Sequence, residues 1–130
     1  MRLGEEVQEV PRGAAELSVA VAADRSEVPN GTSLRITVTV TNAGSAACTI
    51  AFATACRTDF ELRDASGALV ASADRMCAQM LTEATLAPGQ SFAETHAWTR
   101  DGAEAGDYVL CGIVLTDGGV NSPPLRLRLV

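Results

Sequence analysis

From Leu17 onward, apolar and polar residues alternate with a period of two. Successive side chains of an extended chain point to opposite faces, so such alternation marks strands that bury one face. Leu17, Val19 and Val21 alternate with Ser18 and Ala20, and Val28-Pro29-Asn30-Gly31 then reads as a turn. Leu34, Ile36, Val38 and Val40 alternate with Arg35, Thr37, Thr39 and Thr41, and Asn42-Ala43-Gly44-Ser45 ends that strand. Cys48, Ile50 and Phe52 mark the next one. Phe60 and Leu62 follow among Asp59, Glu61 and Arg63, and Asp64-Ala65-Ser66-Gly67 turns the chain into Ala68-Leu69-Val70 as a hairpin.

Residues 72–87 break the pattern. Ser72 to Leu81 has helix-forming composition but is short and lies between strands, which predicts an irregular or one-turn-helical crossing. After a turn at Ala87-Pro88-Gly89-Gln90, Phe92, Glu94, His96 and Trp98 share one parity. Glu94 there predicts either a face that turns polar or a bulge that shifts the register. Tyr108 to Leu115 is apolar on both parities, as in a central strand covered on both faces, with Cys111 on the parity opposite Tyr108, Leu110 and Gly112. Asp117-Gly118-Gly119 turns the chain, and Leu125, Leu127 and Leu129 alternate with Arg126 and Arg128. About seven to eight short strands without a long helix predict an all-β, antiparallel Ig-like β-sandwich over residues 15–130. Residues 1–14 lack periodicity and carry Pro11 and Gly13, which predicts a flexible leader or linker. Aromatics are only 4% of the chain, so Trp98 and Tyr108 are expected as core anchors.

Composition narrows the function. A length of 130 residues fits one domain, and 47% hydrophobic against 20% charged residues excludes a wholly disordered chain. No apolar run approaches the ~18 residues of a membrane-spanning helix. The opening Met1 to Glu6 is acidic where a secretory signal would be basic and then apolar. A net charge of -6 argues against nucleic acid or an anionic membrane as partner. Lysine is absent, which removes Schiff-base chemistry and the phosphate-loop lysine. The lone His96 excludes a multi-histidine metal site, and it reads as a packed or edge residue beside Phe92 and Trp98. With no G-x-S-x-G either, the inventory points away from an enzyme and implies neither metal nor cofactor. Asp59, Asp64, Asp74, Asp101 and Asp107 raise calcium, but none forms a D-x-D-x-D-G loop. Asn30-Gly31-Thr32 fits a glycosylation sequon and is better read as a turn.

Four cysteines, none in a C-x-x-C pair, make structural zinc a poor reading and at least one disulfide the better one. A hairpin turning at 64–67 brings positions near 56 and near 75 level, so Cys56 and Cys77 are expected to pair. Cys48 with Cys111 is a second candidate, set against the parity noted above. Disulfides favour an oxidising compartment, hence a secreted or cell-envelope protein. The alternative is a cytoplasmic protein in which all four are small buried hydrophobes.

Five stretches, in order, carry a family resemblance: VTVTNAG (38–44), TDFELRDASG (58–67), CAQMLTEATLAPGQSF (77–92), Trp98 and AGDYVLCGIVL (105–115). Together they resemble the intracellular proteinase inhibitor (BsuPI) domain, over residues from about 17 to 130. The resemblance implies an Ig-like sandwich that inhibits a serine protease, and the Met and Leu of the irregular stretch suit the apolar pocket of a subtilisin-like one. A structural or accessory envelope module of the same fold is the rival reading. For function we single out Arg75, Met76, Met80 and Leu81, in the least regular stretch, where the predicted disulfide would brace an exposed loop. The competing reading is that Met76, Met80 and Leu81 plug the open side of the sandwich.

Overall fold

The computed structural model describes residues 16–130 apart from Asp74 and Asp117, so the expected leader at 1–14 lies outside the described residues. Among the described residues eleven strands run in chain order: β1 (Leu17–Ala23), β2 (Glu27–Val28), β3 (Ser33–Asn42), β4 (Cys48–Phe52), β5 (Thr58–Asp64), β6 (Leu69–Ser72), β7 (Thr82–Leu86), β8 (Ser91–Thr99), β9 (Gly106–Val114), β10 (Val120–Asn121) and β11 (Leu125–Leu129). One sheet has the order β1-β3-β8, a second the order β2-β11-β9-β5-β6 with β10 alongside β9, and β4-β7 form a separate ribbon. All pairings are antiparallel except β2 with β11.

The predicted faces meet in one core. Leu34, Ile36, Val38 and Val40 from β3 are fully buried against Phe60 and Leu62 of β5, Leu110 and Val114 of β9, and Leu127 and Leu129 of β11. On the opposite face of the first sheet, threonine and serine hydroxyls of β3 and β8 pair across strands: Ser33 with Thr99 at 2.7 Å, Thr41 with Ser91 at 2.7 Å. At Gly112 the first sheet packs directly onto the backbone of β9. A Cβ there would lie 3.0 Å from Cγ1 of Val38 and 3.2 Å from Cβ of Val21, so only glycine fits without a shift. Tyr108 is buried, its hydroxyl donating to the Glu104 carbonyl at 2.7 Å, whereas Trp98 is half-buried at the rim of the core.

The irregular crossing expected within 72–87 holds for the described residues from Ala73 to Leu81, but two expectations need correction. Thr82–Leu86, at the end of that stretch, form β7, which pairs with β4 from Cys48↔Leu86 to Phe52↔Thr82. TEATL carries one large apolar residue, too few to show a period. Cys48 and Cys111 do not pair; both are free thiols. The antiparallel bridge Phe52↔Thr116 explains why, since extending its register sets Cys48 level with Val120 rather than with Cys111. At Glu94 the β3–β8 register is unbroken, so the strand keeps its parity and the face itself turns polar.

Candidate functional site

Between β6 and β7 the chain leaves the sheets as a loop, and its ties to the body come from three elements. The hairpin supplies the first. Extending its Glu61↔Ser72 and Leu62↔Ala71 pairs outward brings Cys56 opposite Cys77, and the two are joined in a disulfide with a Cα–Cα distance of 5.6 Å. Hydrogen bonds supply the second: the Ala55 amide donates to the Ala78 carbonyl at 3.0 Å, and the Thr82 hydroxyl donates to the Thr54 carbonyl at 3.1 Å.

Arg75 makes the third tie. Its Nη2 donates to the Thr58 carbonyl and lies 3.8 Å from Oε1 of Glu94. Beneath it sits a compact polar cluster. The Thr58 amide donates to Oε1 of Glu94 at 3.0 Å, and the Thr58 hydroxyl donates to the same oxygen. With its one hydroxyl proton directed at Glu94, Thr58 Oγ1 accepts from Nε2 of the buried His96 at 2.9 Å, which places the imidazole proton on Nε2. The His96 ring tilts against Phe60 with centroids 5.7 Å apart. Burial, and then the nearby Arg75 guanidinium, hold His96 below its ordinary pKa; Glu94 and Asp59 pull the other way more weakly. Asp59 caps the end of the hairpin, its Oδ1 accepting from the amides of Phe60 at 2.7 Å and Ala73 at 2.9 Å.

Among the predicted site residues, Met76 is 99% exposed, Leu81 82% and Met80 56%. A core plug would be buried, so that reading is overturned for all three. Arg75 differs from them in role, because its guanidinium turns inward and holds the loop. Leu81 adjoins an apolar groove of about 530 Å³ lined also by Phe52, Ala53, Leu115 and Thr116. Its floor is Phe52, edge-on to Phe92 at 6.2 Å and capped by the Arg57 guanidinium at 5.2 Å.

Sequence reading missed Arg100, which follows β8 on the parity of Phe92, His96 and Trp98, because an arginine by itself signals solvent. It is 4% exposed, and its guanidinium donates to the carbonyls of Val28 at 2.6 Å, Val130 at 2.7 Å and Ala103 at 2.9 Å. Among the described residues no three His, Cys, Asp or Glu side chains gather as metal ligands, and no helix is long and apolar enough to cross a membrane.

No curated protein matches the chain. Solved structures with the same fold include the sporulation control protein Spo0M from Bacillus subtilis, 15% identical with a TM-score of 0.58 over 87% of this chain and 49% of that one. The CARDB domain of a Pyrococcus furiosus protein, in complex with di-metal ions, is 17% identical with a TM-score of 0.52 over 88% of this chain and 93% of that domain. A β-glucosidase from Erythrobacter marinus is 18% identical with a TM-score of 0.54 over 88% of this chain. The chain spans 15% of that glucosidase, and at these identities the likeness shows the fold alone. The family comparison reaches further, since the pattern of the intracellular proteinase inhibitors matches residues 18–118, most of the chain: it belongs to the BsuPI intracellular proteinase inhibitor family.

Proposed function

We propose that this chain is a non-catalytic inhibitor of a subtilisin-like serine protease and that it binds through the loop from Arg75 to Leu81. The observation that carries the reading is a loop tied down at Arg75, Cys77 and Ala78 that still holds Met76, Met80 and Leu81 out in solvent. Ordering a flexible segment on binding costs about 0.5–1.5 kcal/mol for each immobilised side chain, and a loop already held avoids much of that. Large apolar side chains such as Met and Leu suit the apolar pocket of subtilisin-like enzymes.

Titration of the protein against a panel of serine proteases tests this. A subtilisin-like member is expected to be blocked at near-equal stoichiometry with the inhibitor largely intact. Changing Met76, Met80 and Leu81 together to Asp is expected to abolish inhibition without altering the melting temperature, because all three side chains are exposed. A folded wild type that blocks no serine protease would leave an accessory Ig-like module instead.

The compartment rests on the disulfide. Such bonds persist in oxidising surroundings, which supports a secreted or envelope location, whereas the family's description as intracellular supports the cytoplasm. Thiol trapping in intact cells separates the two: a bridged Cys56–Cys77 places the protein outside the cytoplasm, and reduced thiols place it within.

A further inference from the structure

We infer that Met76–Cys77 is the peptide bond this loop offers to the protease nucleophile, with Met76 filling the primary specificity pocket, so that the targets are proteases whose pocket is deep, apolar and uncharged. The inference rests on the inhibitory reading above and adds which bond, which side chain and which class of enzyme. A residue in that position must meet several demands at once. Its carbonyl must be free to enter an oxyanion hole, its side chain must stand clear of its own domain, and its neighbours must be held.

The three exposed residues differ on these demands. Met80 donates its amide to the Ala78 carbonyl at 2.9 Å, and that carbonyl also accepts from Ala55, so the backbone at 78–80 is already folded on itself. Leu81 adjoins the groove wall and precedes Thr82, which is fixed by its hydroxyl and by pairing with Phe52. Met76 alone satisfies every demand. Among the described residues, the backbone amides and carbonyls of Arg75, Met76 and Cys77 make no hydrogen bond, and the Met76 side chain is 99% exposed. Both flanks are anchored by side chains rather than by backbone. Arg75 is anchored on Thr58 and Glu94, and Cys77 is bonded to Cys56.

The chemistry of serine proteases explains how such a bond inhibits rather than being consumed. The serine oxygen adds to the Met76 carbonyl carbon, and its proton passes through the protease histidine to the Cys77 nitrogen. The carbon–nitrogen bond then breaks, leaving an ester at Met76 and a free amine at Cys77. In an ordinary substrate that amine diffuses away and water completes hydrolysis. Here the disulfide keeps the amine beside the ester, and Arg75 holds the acyl side, so the amine attacks back and the peptide re-forms.

The test compares the wild type, Met76→Arg and Met80→Arg against subtilisin and trypsin, with thermal melts confirming that each variant is folded. Met76→Arg is expected to lose at least ~100-fold in affinity for subtilisin and to gain at least ~100-fold for trypsin, whose pocket carries an aspartate. Met80→Arg is expected to change either affinity by less than about tenfold, as interface residues outside the central anchors do. After prolonged incubation, any cleaved inhibitor should remain one species heavier by one water, and should part on reduction into fragments ending at Met76 and beginning at Cys77. Wild-type inhibition combined with an unchanged preference of Met76→Arg, or cleavage at another bond, overturns this assignment and leaves the inhibitory reading standing. A wild type that inhibits neither enzyme nor any other serine protease overturns both.

Discussion

Opening the Cys56–Cys77 bridge should lower the melting temperature by an amount that follows from the loop it closes. The two residues are 21 apart in sequence. In the chain-entropy model a loop of that length removes about 11 cal/mol/K from the denatured ensemble, or roughly 3.4 kcal/mol at 25 °C. Little is lost on the native side, since the β5–β6 pairing and the Arg75 tie remain when the sulfurs separate. Unfolding entropy of about 2.1 cal/mol/K per residue over residues 16–130 is roughly 240 cal/mol/K, so the midpoint should fall by about 14 °C. Calorimetry of the oxidised protein beside the same protein in a phosphine reductant measures this directly, because both sulfurs stay in place. Cys56→Ala with Cys77→Ala serves as the control, and it should fall somewhat further because Cys56 is buried. A drop of less than about 4 °C would refute the entropic account. Four titratable thiols in air-oxidised protein would refute the bridge itself.

Gly112→Ala should destabilise by about 1–3 kcal/mol in urea titration, because the new methyl meets Val38 at 3.0 Å, and a second change of Val38→Ala should recover part of that loss. Arg100→Met should cost about 3–5 kcal/mol by the same measurement, since the carbonyls of Val28, Ala103 and Val130 lose their donor inside the fold. His96 should titrate by NMR below the ordinary histidine value of about 6.5, with Arg75→Gln moving it upward. A depressed folded pKa means the unfolded chain binds the proton more readily. The stability from neutral His96 is therefore complete above about pH 6.5 and is lost as pH falls through the folded value. If Arg75→Gln leaves the His96 titration unmoved, the guanidinium does not lie over the cluster in solution.

How far the sequence could be read follows from what local pattern encodes. Alternation at 34–40, 60–62 and 125–129 identified the buried faces because each of those strands has one dry side and one wet side. The Cys56–Cys77 bridge was legible because a hairpin carries its own register, whereas Cys48 with Cys111 depended on how separate strands stack. β2 and β10 are two residues long, too short to show any period. The sequence left Met76, Met80 and Leu81 open between an exposed loop and a core plug, since irregular pattern signals the first and apolar composition the second; exposure decides for the loop. The cluster under Arg75 was half legible: the parity of Glu94 and His96 showed, but their partner Thr58 reaches them from the other sheet. Arg100 continues the parity of His96 and Trp98 but was missed, because a buried cation satisfied only by carbonyls needs no complementary charge in the sequence.

The parallel pairing of Glu27–Val28 with Arg128–Leu129 bears on the order of folding. The hairpin around Asp64–Gly67 needs only neighbouring residues and can form while synthesis continues. β2 must instead wait for a strand about a hundred positions downstream, and Arg100 cannot be saturated until the Val28 and Val130 carbonyls have come together. Contacts of such long separation slow folding, to milliseconds or seconds for roughly this size of all-β domain. The loop from Arg75 to Leu81 is therefore complete in the growing chain before the sandwich beneath it can close. During that interval the nascent chain exposes Val28 and its unpaired edge, and its passage through this state is set by release of residues 125–129 rather than by any local step.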